Sequence, residues 1–207
     1  MLSRASFLRL ALASIALPLQ RASAGEPEDI SDDTIFNDPE TPTAGNAAGD
    51  IIIVDFFDYN CPYCKTSAPS LEKLVKADGH IKLIYKDWPI LTKTSLIGAQ
   101  LALGAGYQDK YLEAHHALMN IPGYGISEDA MRAAVAGAGI DMERLQADLQ
   151  MHGETIINLL KRNLAIADTI GLRGTPGFLI GPFKVNEALN YQGFQRAVAD
   201  ARARGRK

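Results

Sequence analysis

The chain has 207 residues, 47% of them hydrophobic, with two cysteines and a net charge of −3. That length supports one domain with a substantial core, or one domain carrying an insertion. The charge balance excludes nucleic acid as the expected partner. Two cysteines are too few for a disulfide-scaffolded secreted fold, so apolar packing must hold the core.

Residues 1–24 read as an export signal. Arg4 charges the start, Phe7 to Leu19 is apolar apart from Arg9, Ser14 and Pro18, and Ala22-Ser23-Ala24 supplies the small-x-small pattern of a cleavage site. The apolar run falls short of the about 20 residues a membrane span needs. A single arginine in Ser3-Arg4-Ala5-Ser6-Phe7-Leu8 favours the general secretory route over the twin-arginine route. Cleavage would leave 183 residues, 18 basic against 24 acidic, and the periplasm is the predicted location.

Residues 25–49 are acidic, carry Pro27, Pro39 and Pro42, and end in Gly45-Asn46-Ala47-Ala48-Gly49; an extended lead-in that buries little is expected. Ile51-Ile52-Ile53-Val54-Asp55-Phe56-Phe57 has the composition of a strand covered on both faces, with Asp55 as its anomaly. Ala68, Leu71, Leu74 and Val75 recur at helical spacing, and Pro62 sits where a helix tolerates it, which predicts a helix from Pro62 to Lys76. A second strand is predicted over Ile81–Tyr85. From Thr92 to Ile170, amphipathic segments separated by glycine-rich breaks predict a helical block, with Ser127 and Asp141 as helix caps. Strands return at Phe178–Ile180 and Phe183–Val185. A helix over Leu189–Arg204 follows, and Arg202, Arg204, Arg206 and Lys207 read as a solvated basic end. This order is that of an α/β thioredoxin fold with an inserted helical domain: 50–91 and 172–207 form the thioredoxin-like part, 92–171 the insertion.

Both cysteines stand in Cys61-Pro62-Tyr63-Cys64, at the junction of the first strand and its helix. A disulfide closing so short a ring restricts the unfolded chain very little, so stability is a poor reason for the pair. Zinc needs about four ligands, and there is no second cysteine pair. Reversible redox chemistry remains. Cys61 precedes the helix and faces its unpaired N–H groups and the positive end of its dipole, which favours the thiolate; Cys64, one turn inside, is the natural resolving thiol.

The segment Asp50 to Leu74, DIIIVDFFDYNCPYCKTSAPSLEKL, together with Gly174-Thr175-Pro176-Gly177-Phe178-Leu179-Ile180-Gly181, resembles the DsbA family of exported thiol-disulfide oxidoreductases. It is most similar to the branch with Com1-like and ScsC-like proteins, where a lead-in like Ile35-Phe36-Asn37-Asp38-Pro39-Glu40-Thr41-Pro42 is common. The resemblance implies an exposed nucleophile at Cys61, a buried partner at Cys64 and a cis-proline at Pro176. It also implies a Thr175 backbone free to pair with an extended substrate segment, redox tuning by Pro62 and Tyr63, and a buried acid at Asp55 that exchanges a proton with Cys64. For Asp55 the alternative is a partly exposed acid at a strand end, and Asp58 is expected at the surface.

These readings predict a cofactor-free enzyme acting on reduced or misoxidised exported proteins and reset by a membrane redox partner. A dithiol oxidase is the leading form. Isomerase or reductase is the alternative within the class, because Thr175 before the proline resembles those branches. A non-enzymatic holdase and a Cu(I)-binding tolerance factor are the alternatives outside it. The short lead-in favours a monomer. A weak metal contact at Glu113 and His116 is weighed against packing or solvent, and Trp88 and Pro89 are placed either beside the dithiol or in the core.

Overall fold

The structure, a computed structural model, describes residues 30–205; the expected export signal lies outside them. Five strands form one sheet in the order β1-β3-β2-β4-β5. The central strand β2 (Ile51–Phe57) runs parallel to β3 (Ile81–Asp87) and antiparallel to β4 (Gly177–Ile180). β5 (Phe183–Val185) and β1 (Thr43–Gly45) form the edges, each antiparallel to its neighbour. The parallel pair is joined by α2 (Pro62–Asp78), as a parallel crossover requires. Between β3 and β4 come α3 (Lys93–Gly106), α4 (Tyr111–Met119), α5 (Glu128–Gly137) and α6 (Met142–Thr169). The closing helix is α7 (Tyr191–Gly205).

Side chains alternate across β2. Ile53 and Phe57 enter the larger core, with Leu71 and Leu74 of α2, Leu101 of α3, Leu118 of α4 and Phe194 of α7. Val54 and Phe56 enter a smaller core on the other face, with Ile84, Trp88 and, from α6, Ile166 and Ala167. The long α6 reaches both cores, since its Ile156, Leu159 and Leu160 belong to the first. This clamps the helical block to the sheet instead of leaving it a separate body. Ser127 accepts from the Ala130 N–H and Asp141 from the N–H groups of Glu143 and Arg144, capping α5 and α6.

The lead-in departs from the extended, little-buried segment expected. Ser31 caps a short helix, α1 (Asp32–Phe36), whose Ile35 is buried in the smaller core. Strand β1 then covers the outer edge of β3, where Gly45 (φ +75°) brings the backbone so close to the Ile81 carbonyl that a Cβ would collide with it. The physical reason is the edge itself: without β1, the apolar β3 would present an unpaired row of N–H and C=O groups. Polar anchors complete the join. Lys86 is fully buried and donates to the Thr34 carbonyl (3.1 Å) and to Thr41 Oγ1 (3.0 Å), and Arg162 of α6 holds Asp38 at 3.0 Å.

Two other boundaries differ from expectation. β3 extends through Lys86 and Asp87, two charged residues that break the apolar pattern but find buried partners. Arg202 is not a solvated end: its guanidinium grips Asp50 (2.7 Å) and Asp78 (2.6 Å), tying α7 to both ends of the β2–α2 unit.

Candidate active site

The loop from Asp58 to Cys61 carries the chain from β2 into α2, and two short polar side chains shape it. Asp58 is 1% exposed, not at the surface as expected. Its Oδ1 accepts from the Asn60 N–H (2.7 Å), and its Oδ2 accepts from the N–H groups of Ile90 and Leu91 (2.9 Å each). Three backbone donors replace the water this carboxylate gives up, which is how a buried acid is accommodated. Asn60 donates to Thr94 Oγ1 and Ser95 Oγ (3.2 Å each) and accepts from the Ile126 N–H (2.8 Å), so the helical insertion is stitched to the residue before the first cysteine.

Cys61 is the N-cap of α2, and its Sγ accepts from the Cys64 N–H at 3.3 Å. The Cys64 side chain hydrogen bond is the largest influence on the Cys61 thiol. With the Thr175 side chain and the N–H groups of Cys64 and Tyr63 it outweighs burial, pulling the thiol from 9.0 down to about 6. Cys64 goes the other way. Burial, the hydrogen bond to Cys61 and the charges of Cys61 and Asp55 raise it well above its ordinary value.

Residue exposure does not separate the two cysteines: each is 2% exposed. The expected exposed nucleophile is therefore corrected. The loop before β4 covers Cys61, whose thiol donates to the Thr175 carbonyl at 3.2 Å. That carbonyl, expected to be free for a substrate strand, is occupied in the thiol form. The Thr175–Pro176 peptide bond is cis. The side chains of Pro62 and Tyr63 are exposed, Tyr63 at 69%, while the Tyr63 N–H is turned to the Cys61 sulfur.

Asp55 lies within the sheet, 4% exposed, so the partly exposed alternative is set aside. Its Oδ1 has no hydrogen-bond partner. Burial, followed by the charges of Asp87, Cys61 and Glu72, raises its carboxyl well above the usual range. Trp88 packs edge-on against Phe56 in the smaller core, on the face opposite Asp55 and Phe57. His116 pairs with Glu72 of α2 (3.1 Å), and its neighbour His115 is buried, 3.0 Å from the Tyr59 hydroxyl. Asp58, Asn60 and Asp87 shape the site although no catalytic motif in the sequence marks them. The legible signal for the first two was a pair of Asx residues just ahead of a helix start, a common turn-forming arrangement.

A parallel β2–β3 pair flanked by antiparallel β4, with a Cys-x-x-Cys at the mouth of α2 facing the loop before β4, defines a thioredoxin-fold dithiol protein. The thioredoxin family profile matches residues 37–200, and the chain belongs to the thioredoxin superfamily in its DsbA-like branch. A thioredoxin-like oxidoreductase from Silicibacter pomeroyi DSS-3 is 37% identical, with a TM-score of 0.78 over 84% of this chain and 98% of that one. The thiol-disulfide exchange protein alpha-DsbA2 from Wolbachia pipientis is 29% identical, with a TM-score of 0.75 over 81% and 90%. Among curated relatives, the Na(+)/H(+) antiporter NhaA 1 of Mycobacterium sp. (strain KMS) is 25% identical over 157 residues, 74% of this chain. The chain spans about a quarter of that protein's length (24%). Among the described residues no helix is long and apolar enough to cross a membrane.

Proposed function

We propose that this chain is an exported, periplasmic thiol-disulfide oxidoreductase that works as a dithiol oxidase on cysteines of other exported proteins. The observation that carries the reading is the placement of the pair: Cys61 caps α2 with its Sγ accepting from the Cys64 N–H, which favours its thiolate, while Cys64 lies one turn inside, where burial pushes its thiol up. In the disulfide form, a substrate thiolate attacks Cys61 Sγ, the Cys61–Cys64 bond breaks, and a substrate–Cys61 mixed disulfide forms. Cys64 leaves as a thiolate and takes up a proton, for which Asp55 is the nearby acid. A second substrate thiolate then displaces Cys61, which leaves as a stabilised thiolate. The substrate gains a disulfide, the dithiol carries its two electrons, and a membrane oxidant resets the pair.

The low exposure of Cys61 is compatible with this sequence of steps. The bond from Cys61 Sγ to the Thr175 carbonyl needs the thiol proton. Once Cys61 is ionised or joined to substrate, that carbonyl is released for a substrate N–H, the strand-addition contact proposed for Thr175 and Pro176. Tyr63 would tune the pair through its backbone N–H at the Cys61 sulfur, and Pro62, which has no N–H, through the backbone geometry it sets in the first turn of α2. The lead-in supports a monomer, since it is spent on the edge of β3 and on Arg162.

The sign of the redox effect follows from linkage. A thiol depressed in the folded state stabilises the reduced form; the gain is complete above 9.0 and is lost as pH falls through about 6. At pH 7 it is about 1.4 kcal/mol, or about 30 mV toward the oxidising side for a two-electron couple. That is a moderate bias, so the direct test compares directions. The oxidised protein should convert a reduced, unfolded substrate to its disulfide form faster than it repairs a scrambled one. Repair without net oxidation would favour the isomerase reading, and no exchange in either assay would remove the enzyme reading.

A further inference from the structure

A second buried acid stands on the sheet face that carries Asp55, and the steps above do not use it. In the β2–β3 register Asp55 pairs with Tyr85, and Phe57 pairs with Asp87. Side chains two apart share a face, so in this parallel pair Asp55 and Asp87 are diagonal neighbours on the face toward α2 and α4. Asp87 is 1% exposed. Its Oδ2 accepts from the Tyr111 hydroxyl of α4 (2.9 Å), and its backbone carbonyl accepts from Asn163 Nδ2 of α6 (3.1 Å). Its Oδ1 has no partner, like Asp55 Oδ1.

We propose that Asp87 is a positioning residue that acts through Asp55: its carboxylate sets the proton affinity of Asp55, and with it the pH range in which Cys64 can give up or take back a proton. The inference rests on the exchange chemistry proposed above. In the resolving direction, the Cys64 S–H proton passes to the Asp55 carboxylate. The Cys64 thiolate attacks Cys61 in a mixed disulfide, the Cys61–substrate S–S bond breaks, and the substrate leaves as a thiolate that is protonated by solvent. Electrons and protons balance without a further reactant. A negative Asp87 makes Asp55 the better base, and a neutral Asp87 weakens it.

The groups around Asp87 determine whether it can hold that charge. Tyr111 faces it from α4, Tyr59 and Asp58 from the loop after β2, Tyr85 from β3, Asp55 from β2 and Asn163 from α6, and His115 of α4 lies behind the Tyr59 hydroxyl and the Tyr111 ring. Glu72 of α2 acts on Asp55. Burial raises Asp87 to about 7 against the Tyr111 and Tyr59 hydroxyls, which lower it. His115 supplies no compensating positive charge, because burial draws it down to about 3. Two acids at this spacing titrate as a coupled pair, the first ionisation opposing the second, and Asp87 is poised to change charge near neutrality.

The test is a carboxyl-carbon NMR titration of Asp55 in the reduced protein, wild type against Asp87→Asn, with the pH profile of the exchange rate measured alongside. Removing the Asp87 charge should lower the Asp55 midpoint by about one to two pH units and move the matching limb of the rate profile the same way. The Cys61 limb should stay within a few tenths of a unit. An unmoved Asp55 midpoint would overturn the proposal even if exchange is intact. Should Asp87→Asn fail to fold, Tyr111→Phe removes one donor to Asp87, raises its proton affinity, and should shift the Asp55 midpoint down by a smaller step; no shift there overturns the proposal as well. Because the NMR readout does not need activity, a protein that exchanges nothing would refute the enzyme reading and leave this coupling separately decided.

Discussion

Cys61→Ser should lose at least about a thousandfold in thiol-disulfide exchange while remaining folded. The loss follows from chemistry: the thiolate is the attacking and leaving species, and a serine hydroxyl neither ionises near neutral pH nor forms a disulfide. The fold should tolerate the change because the position is an N-cap, where serine is among the preferred residues. Serine can also accept from the Cys64 N–H as Cys61 does. The measurement is the rate of oxidation of a reduced protein substrate, paired with a denaturation curve. Retention of more than a tenth of the wild-type rate by a folded variant would contradict the assignment of Cys61 as the reacting sulfur.

Cys64→Ala should separate the half-reactions. Single-turnover reaction of Cys61 with a disulfide persists, but the resulting mixed disulfide has no internal thiol to release it. Adducts should therefore accumulate, visible by mass spectrometry without reductant, and steady turnover should fall at least about a hundredfold. A second effect runs alongside. The Cys64 side chain gives the largest stabilisation to the Cys61 thiolate, so its removal should raise the Cys61 midpoint, by about one pH unit on the scale of a single hydrogen bond to a charged group. Adduct formation near pH 6 would slow for that reason, whereas at pH 9 it should match wild type. Rapid turnover without adducts would mean that Cys64 is not the resolving thiol.

The central strand, the helix carrying the dithiol and the late return of β4 and β5 were legible because each has a strong local signal: β-branched runs, helical spacing behind Pro62, and a Gly-Pro turn. The poorly read parts take their structure from distant partners. Lys86 and Asp87 look like the end of a strand, and only Thr34, Thr41 and Tyr111, far away in sequence, make them interior residues. Asp58 reads as a surface acid until the N–H groups of Ile90 and Leu91 are brought to it. The lead-in has turn-like composition, yet its role is set by the open edge of β3. At the site, the motif located both sulfurs, and the helix mouth gave the direction of the Cys61 shift. Exposure was misjudged because the loop that covers Cys61 comes from Thr175, over a hundred residues away.

The most direct test of the account is the pH titration of Cys61 in the reduced protein, followed by thiolate ultraviolet absorbance or by its rate of alkylation. The expected midpoint is about 6, three units below the ordinary 9.0, with Cys64 silent throughout the neutral range. A Cys61 midpoint near 9.0 would contradict the claim that the mouth of α2 primes one sulfur of the pair for exchange.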